Sequence, residues 1–216
     1  MDFSTARHNM VESQIKPNRV TDVVLMNAMA DIPREIFVPK ALQGIAYVDE
    51  AIEIGEGRHL MEAWVLARLL EAAEINTQDV ALLIGCASGY EAAVLSYLAA
   101  TVVALESNKV LLKRASASLE ELAIDTVVIV EGNLRDGFER QAPYDVILIN
   151  GAVPVVPEHL GWQLAEGGRM IAIIGEGSYG KGTILTRHSD TFTAREIFDA
   201  GTPGLPGFEQ SPSFSF

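Results

Sequence analysis

The residues best suited to chemistry are a turn of small residues and a glutamate 21 residues after its first glycine. The apolar run 81–84 leads into Gly85-Cys86-Ala87-Ser88-Gly89 and then into a helical pattern. Small residues let a ligand approach the backbone, and N–H groups at the start of the helix face that ligand. Glu106 ends the next predicted strand, where a carboxylate can accept hydrogen bonds from the vicinal hydroxyls of a ribose. The two features together indicate a nucleoside ligand.

The same residues also have a purely structural interpretation. Folds of the α/β class use glycine in such turns to pack a helix closely on a strand, and a glutamate at a strand end can be a solvated charge. Gly132-Asn133, which follows the third predicted strand, favours the ligand interpretation. Carboxyl ends of adjacent parallel strands meet at one edge of a sheet, and open α/β sheets bind ligands at that edge.

Apolar runs that alternate with helical patterns must position these residues. From about Gln78 onward this alternation is typical of repeated βα units and a largely parallel sheet. Three helices are predicted between the runs, over 90–100, 108–122 and 157–165. The five predicted strands cover 80–85, 101–106, 126–131, 145–150 and 170–175.

The two ends of the chain carry different patterns. The first 75 residues predict a helical cap, with helices over 21–30, where Thr21 is the expected cap residue, and over 63–70. Near the other end, a flexible loop is expected over 175–182. The β-like runs 183–188 and 192–198 then predict an antiparallel hairpin.

The tail is rich in proline and glycine, so it is expected to be irregular. Its residues Phe208, Phe214 and Phe216 are expected to pack against the sheet. No shift in composition marks a linker, so the chain is predicted to be a single domain. The domain would consist of a helical cap (1–75), an α/β core (76–200) and the tail (201–216).

Charge and cysteine content argue against several classes of function. Sixteen Lys and Arg against 29 Asp and Glu give a net charge of −13 and a pI near 4.7, which argues against nucleic acid and anionic membranes as partners. Cys86 is the single cysteine, so neither an internal disulfide nor a cysteine-based metal site is expected. No apolar run reaches the roughly 18 residues of a membrane span, and no secretory leader is apparent, so a cytoplasmic location is expected. The oligomeric state stays open.

Longer segments of the chain resemble the protein-L-isoaspartate O-methyltransferase family. The segments are MVESQI, DIPREIFVPKALQGIAYVDEAIEIGEG, IGCASGYEAAVLSYLA, APYDVILINGA and PEHLGWQLAEGGRM. The resemblance implies an α/β, Rossmann-like class I methyltransferase fold with a mostly parallel sheet. It also implies S-adenosylmethionine as cofactor, and as substrate the free carboxylate of isoaspartyl residues in damaged proteins or peptides.

The resemblance also implies roles for particular residues. The turn Gly85, Cys86, Ala87, Ser88 and Gly89 would hold the methionine moiety of the cofactor, Glu106 the ribose and Asn133 the adenine. The loop 57–61 would meet the isoaspartyl peptide. The remaining residues predicted to line the cofactor site are Ser107, Leu134 and Asn150.

The chain departs from the family pattern at several positions that would touch ligands. The family has an acidic residue and a glycine where this chain has Leu83 and Ala87, and Gly-Asp-Gly where it has Gly132-Asn133-Leu134. The family stretch Gly-Gln-Thr-Ile-Ser-Gln-Pro reads Gly57-Arg58-His59-Leu60-Met61-Glu62-Ala63 here. Met61 therefore stands at the active-site serine position, and its thioether cannot donate a hydrogen bond. His59 is the nearest polar substitute, so His59 and Met61 are the candidate catalytic positions.

Three functions are consistent with this sequence. The first is an active repair methyltransferase that esterifies isoaspartyl residues. The second is a catalytically eroded family member that acts as a binding or scaffold protein, with weak or no binding of S-adenosylmethionine. The third is a methyltransferase for another substrate, in which Arg58, His59 and Met61 reshape the acceptor pocket.

Overall fold

The chain folds around one large sheet, described here from a computed structural model that covers residues 2–176 and 179–209. The strands within these residues are β1 (Ile52–Gly55), β2 (Arg58–Leu60), β3 (Val80–Ile84), β4 (Thr101–Glu106), β5 (Val127–Glu131), β6 (Tyr144–Val153), β7 (Leu164–Glu176), β8 (Tyr179–His188) and β9 (Thr191–Asp199). Seven of them form a sheet in the order β5-β4-β3-β6-β7-β8-β9. Strands β3 to β7 pair in parallel, whereas β8 and β9 add antiparallel. The predicted α/β class, the parallel sheet and the terminal hairpin are confirmed.

Helices pack on both faces of the sheet. The α-helices are α1 (Phe3–Met10), α2 (Val23–Asp31), α3 (Ala63–Ala72), α4 (Tyr90–Ser96), α5 (Lys109–Glu121) and α6 (Glu158–Gly161), and α1 continues into a π-helical turn, Val11–Ile15. Alternate residues of β3 enter opposite cores, as the period of two in a strand requires. Ala81 and Leu83 lie in the core with α1 to α5, whereas Leu82 and Ile84 lie in the core on the other face.

The predicted helix over 157–165 is wrong beyond its first turn. Helix α6 ends at Gly161, and β7 already begins at Leu164, which pairs with Tyr144 of β6. The backbone hydrogen bonds of this pairing override the helical pattern of the segment, because tertiary context outweighs weak local propensity. The helix predicted over 90–100 is also shorter, ending at Ser96.

The segment 175–182 is not a flexible loop in its described part. Strand β7 runs to Glu176 and β8 begins at Tyr179, with Gly175 opposite Gly180 in the antiparallel ladder. Gly175 has a φ of 158°, and a side chain there would collide with the backbone of Tyr179. Glycine is therefore needed for the close approach of the two strands, rather than for flexibility.

The N-terminal part is not entirely helical, because it contains the hairpin β1–β2. Its helix α2 begins one residue later than expected at the cap: Asp22, and not Thr21, accepts hydrogen bonds from the N–H groups of Val24 and Leu25. Thr21 instead donates its hydroxyl to Glu71 of α3. Because Asp22 supplies the cap, Thr21 can tie the start of α2 to α3.

The tail packs against the sheet through its described residues. The N–H of Leu205 donates to the carbonyl of Ala152 in β6 at 2.8 Å, and Phe208 is 1% exposed within the core that contains Leu82 and Ile84. The expected burial of Phe208 is thus confirmed, while Phe214 and Phe216 lie outside the described residues. Between residues 2 and 209, excluding 177 and 178, no helix is long and apolar enough to cross a membrane.

Candidate functional site

The turn 85–89 connects β3 to α4 and is held by the neighbouring strand. The N–H groups of Gly85 and Cys86 both donate to the carbonyl of Leu105 in β4, at 2.8 and 3.0 Å. Gly89 has a φ of 100°, and a Cβ there would lie 3.3 Å from Ala115 of α5. Ala87 adopts a φ of 51°, a left-handed conformation that disfavours a residue with a Cβ by about 1–2 kcal/mol. The sequence therefore forms the expected turn, with strain at Ala87.

Glu106 joins this turn to the end of β4. Its carboxylate is fully buried and accepts a hydrogen bond from the N–H of Ala87 at 2.9 Å. It also accepts from the N–H groups of Ser107 at 2.8 Å and Asn108 at 3.1 Å. The structure thus brings together the turn and the carboxylate that the sequence analysis paired.

Arg58 of β2 covers both groups. Its Nη1 lies 3.1 and 2.9 Å from the two carboxylate oxygens of Glu106, and its Nη2 donates to the carbonyl of Gly85 at 2.7 Å. The side chain of Arg58 is 4% exposed. The guanidinium and the carboxylate form a buried ion pair with hydrogen bonds to the turn, an arrangement in which both charges are compensated.

Asn150 of β6 lies against the same turn. Its Nδ2 donates to the carbonyl of Gly85 at 2.9 Å, so that carbonyl accepts hydrogen bonds from both Arg58 and Asn150. The Oδ1 of Asn150 is buried and has no hydrogen-bond partner within the described part of the chain. The buried hydroxyl of Ser88 is likewise unpartnered there. The prediction that Asn150 and Ser88 belong to this site is consistent with their positions.

Asn133 lies at the same sheet edge but faces solvent. Its Oδ1 accepts from the N–H of Arg135 and caps the 3-10 turn Leu134–Asp136, while Leu134 is 3% exposed in the core. The N–H of Gly132 donates to the carbonyl of Glu106 at 3.1 Å, which ties this segment to β4. Asn133 therefore makes a local structural contact, and its role toward adenine stays a prediction.

Met61 and His59 border a very small cavity. It measures about 10 Å³, room for about one water molecule, and Arg58 and Asn150 also line it. Met61 is 2% exposed, and its carbonyl accepts a hydrogen bond from Nη2 of the buried Arg34 at 2.6 Å. The Nδ1 of His59 is buried without a partner in the described residues. The catalytic role of either residue stays a prediction.

A further buried carboxyl lies near the turn and was not singled out from the sequence. Glu91 of α4 is fully buried, and neither of its oxygens has a hydrogen-bond partner within the described residues. Burial raises the pKa of Glu91 above its usual range, against the opposing positive charges of Arg34 and Arg58. Burial also raises the pKa of the Cys86 thiol, which disfavours the reactive thiolate. Cys86 is thus a core residue rather than a nucleophile.

In this conformation a nucleoside cofactor does not fit the site. Every hydrogen bond that a ribose would make to Glu106 competes with Arg58, because the carboxylate has no exposed surface. A Cβ built on Gly85 would lie 2.5 Å from Nη2 of Arg58 and 2.9 Å from Cδ1 of Leu205, so both side chains cover the turn. The cavity beside Arg58 and Asn150 measures about 10 Å³, far less than the roughly 300–1,000 Å³ of a usual ligand pocket. The residues have the right kinds of polar group, but the space is filled by the chain itself.

Arg58 was placed by the sequence in the acceptor loop, and its contact with Glu106 was missed. The signal was the replacement of a glutamine in the family stretch by a longer cationic side chain. Sequence alone gave no means of choosing its partner, because Arg58 and Glu106 are 48 residues apart.

Sequence comparisons match this chain to one family over most of its length. The family model for protein-L-isoaspartate(D-aspartate) O-methyltransferase matches residues 5–196. A protein-L-isoaspartate O-methyltransferase of Methanoculleus marisnigri is 39% identical over 169 residues, which cover 78% of this chain and 77% of the relative. Protein-L-isoaspartate O-methyltransferase 1 of Rhodopseudomonas palustris is 35% identical over 209 residues, covering 96% and 85%.

Solved structures share the fold. A protein-L-isoaspartate O-methyltransferase superposes with a TM-score of 0.79 at 24% identity, covering 94% of this chain and 67% of the other. A putative protein-L-isoaspartate O-methyltransferase from Plasmodium falciparum, in complex with S-adenosyl-L-homocysteine, gives a TM-score of 0.78 at 19% identity and covers 96% and 99%. At these identities the structures support the fold alone. With the family match over residues 5–196 and relatives 35–39% identical, the chain belongs to the protein-L-isoaspartate(D-aspartate) O-methyltransferase family.

Proposed function

We propose that this chain is an S-adenosylmethionine-dependent carboxyl methyltransferase that acts on isoaspartyl residues of proteins or peptides. Its family uses S-adenosylmethionine and acts on isoaspartyl-containing proteins. The observation that carries the proposal is the direct hydrogen bond between Glu106 and the N–H of Ala87, which couples the glycine turn to a strand-end carboxylate. Open α/β sheets bind nucleotides where two such strand ends meet.

The replacement of the family serine by Met61 is compatible with this reaction. A carboxylate acceptor is already ionised at neutral pH, so no general base is needed to activate it. The acceptor must instead be positioned and shielded from water, which several side chains can share. The unpartnered Nδ1 of His59 offers a polar contact next to Met61 for this purpose.

The negative charge of the chain argues against nucleic acid as a partner. We also propose a cytoplasmic location, as the sequence analysis expects. The proposed cofactor residues are those of the turn 85–89 together with Glu106, Ser107, Asn133, Leu134 and Asn150.

A second candidate is a binding or scaffold protein that transfers no methyl group. The buried ion pair between Arg58 and Glu106 favours this candidate, because it occupies the proposed cofactor site. The two candidates share the fold and differ in whether the site can open.

Methyl transfer to a defined peptide separates these candidates. The purified protein is incubated with methyl-labelled S-adenosylmethionine and a short peptide that contains isoaspartate. The control is a peptide of the same sequence with ordinary aspartate. Base-labile label on the isoaspartyl peptide alone is the expected result. Absence of any labelled ester would contradict the proposed activity, and absence of nucleoside binding as well would favour the binding or scaffold protein.

A further inference from the structure

We propose that Arg58 occupies the place of the ribose on Glu106, so that residue 58 determines how well this chain binds an adenosine-containing ligand. This inference rests on the proposed function, because it assumes that the ligand of the turn is a nucleoside. It adds a residue of the protein itself that competes with the ligand for the site.

The hydrogen bonds of Arg58 match those that a ribose would need. Its Nη1 lies within 3.1 Å of both carboxylate oxygens of Glu106, which are the acceptors available to two vicinal hydroxyls. Its Nη2 donates to the carbonyl of Gly85 and, together with the side chain of Leu205, covers the glycine turn. One side chain thus uses both the strand-end carboxylate and the glycine turn.

The carboxylate cannot accept a ribose while Arg58 remains bound. Glu106 is fully buried and also accepts from the N–H groups of Ala87, Ser107 and Asn108. A nucleoside must therefore displace the guanidinium before it can bind, and that displacement breaks a buried ion pair. The apparent affinity of the nucleoside is therefore its intrinsic affinity multiplied by the fraction of molecules in which the site is open.

Arg58 lies on a strand outside the main sheet and reaches that sheet through its side chain. Strands β1 and β2 pair with each other and are not hydrogen-bonded into the seven-stranded sheet. Arg58 is thus held over β3 and β4 by its guanidinium, through Gly85 and Glu106. Replacing it by the glutamine of the family stretch removes the charge and shortens the side chain, while the hydrogen bonds of the turn to Leu105 and Glu106 remain available.

Calorimetric titration with S-adenosylhomocysteine tests the inference. Arg58→Gln is compared with the wild-type protein and with Arg114→Gln, whose Nη1 donates to the carbonyl of Ile54 on the same hairpin but which does not contact Glu106. We expect Arg58→Gln to bind at least about tenfold more tightly than wild type, and Arg114→Gln to match wild type. Circular dichroism verifies that each variant is folded.

If Arg58→Gln does not fold, Arg58→Lys replaces it, because an ammonium keeps the charge but cannot bridge the carboxylate and the turn as a planar guanidinium does. A gain in affinity is expected for Arg58→Lys as well. Equal affinity of wild type and the folded residue-58 variant, whether both bind or neither binds, would overturn the inference. Failure of the proposed function is distinguishable: the affinity gain would then appear without any ester on the isoaspartyl peptide.

Discussion

At the carboxyl end of β4, the buried carboxylate of Glu106 accepts hydrogen bonds from three backbone N–H groups and from the guanidinium of Arg58. Removing one partner of such a pair usually destabilises a protein by about 3–5 kcal/mol, because the other charge is left uncompensated. Glu106 retains its three backbone donors when Arg58 is lost, so its charge keeps part of its compensation. The loss of Arg58 is therefore expected to destabilise the protein by less than the loss of a buried partner usually does.

Glu91 is expected to reduce stability at neutral pH. Because burial raises its pKa in the folded state, the folded protein binds more protons than the unfolded chain above about pH 4.5. The free energy of unfolding therefore falls as the pH rises from about 4.5 toward the raised pKa of Glu91. Glu91→Gln should stabilise the protein by about 1–3 kcal/mol at pH 8 and by less at pH 5, as measured by urea unfolding.

Glu120→Gln on the exposed side of α5 is the matched control for this measurement. It should change the free energy of unfolding by less than about 0.5 kcal/mol at both pH values. A loss of stability in Glu91→Gln at pH 8 would contradict the assignment of Glu91 as an uncompensated buried group.

Ala87 is expected to be strained by its positive φ. Glycine adopts this conformation freely, but it also loses more backbone entropy on folding, by about 0.5–1 kcal/mol. Ala87→Gly should therefore stabilise the protein by about 0.5–1 kcal/mol, the remainder of the strain of roughly 1–2 kcal/mol. The same substitution at Ala92, inside α4, should destabilise it by about 1 kcal/mol. Equal effects at both positions in denaturant titrations would argue against strain in the turn.

Among the elements, those with strong local patterns could be predicted from the sequence. Runs such as 101–106 are apolar and β-branched, and they form buried strands with the expected bounds. The end of helix α6 and the start of β7 could not be predicted, because the pairing of Leu164 with Tyr144 depends on a strand 20 residues away. The candidate site divides in the same way: the turn and Glu106 follow from one βαβ unit, whereas the contact of Arg58 depends on the path of a separate hairpin.

Arg34 anchors the segment that carries β1 and β2 at both of its ends. This side chain is fully buried, donates to the carbonyls of Ala46 and Met61, and lies 4.8 Å from the ring centre of Tyr90. Arg34→Met should reduce the free energy of unfolding by about 2–4 kcal/mol, because two carbonyls lose a charged donor. Arg68→Met, which removes a half-buried arginine with one such bond, should lose about 1 kcal/mol. Thermal unfolding of both variants checks the order, and equal losses would contradict the anchor.

For the whole molecule, the tail completes the core on one face of the sheet. Phe208 is 1% exposed among residues of β3, β4 and β6, and Leu205 lies against Gly85 and Gly151. Phe208→Ala should destabilise the protein by about 3–5 kcal/mol, a loss typical of a buried phenylalanine. Chemical denaturation measures it, and a loss under about 1 kcal/mol would mean that the tail is not part of the cooperative fold.

At the same scale, the chain combines membership of its family with a proposed cofactor site that its own side chains fill. The fold brings the turn and Glu106 together at the proposed nucleoside site, and the hairpin places Arg58 on both. A crystal structure of the ligand-free protein at neutral pH tests this account most directly. The account predicts the guanidinium of Arg58 within hydrogen-bonding distance of both Glu106 and the carbonyl of Gly85. An Arg58 side chain in solvent, with Glu106 facing an open pocket large enough for a nucleoside, would contradict it.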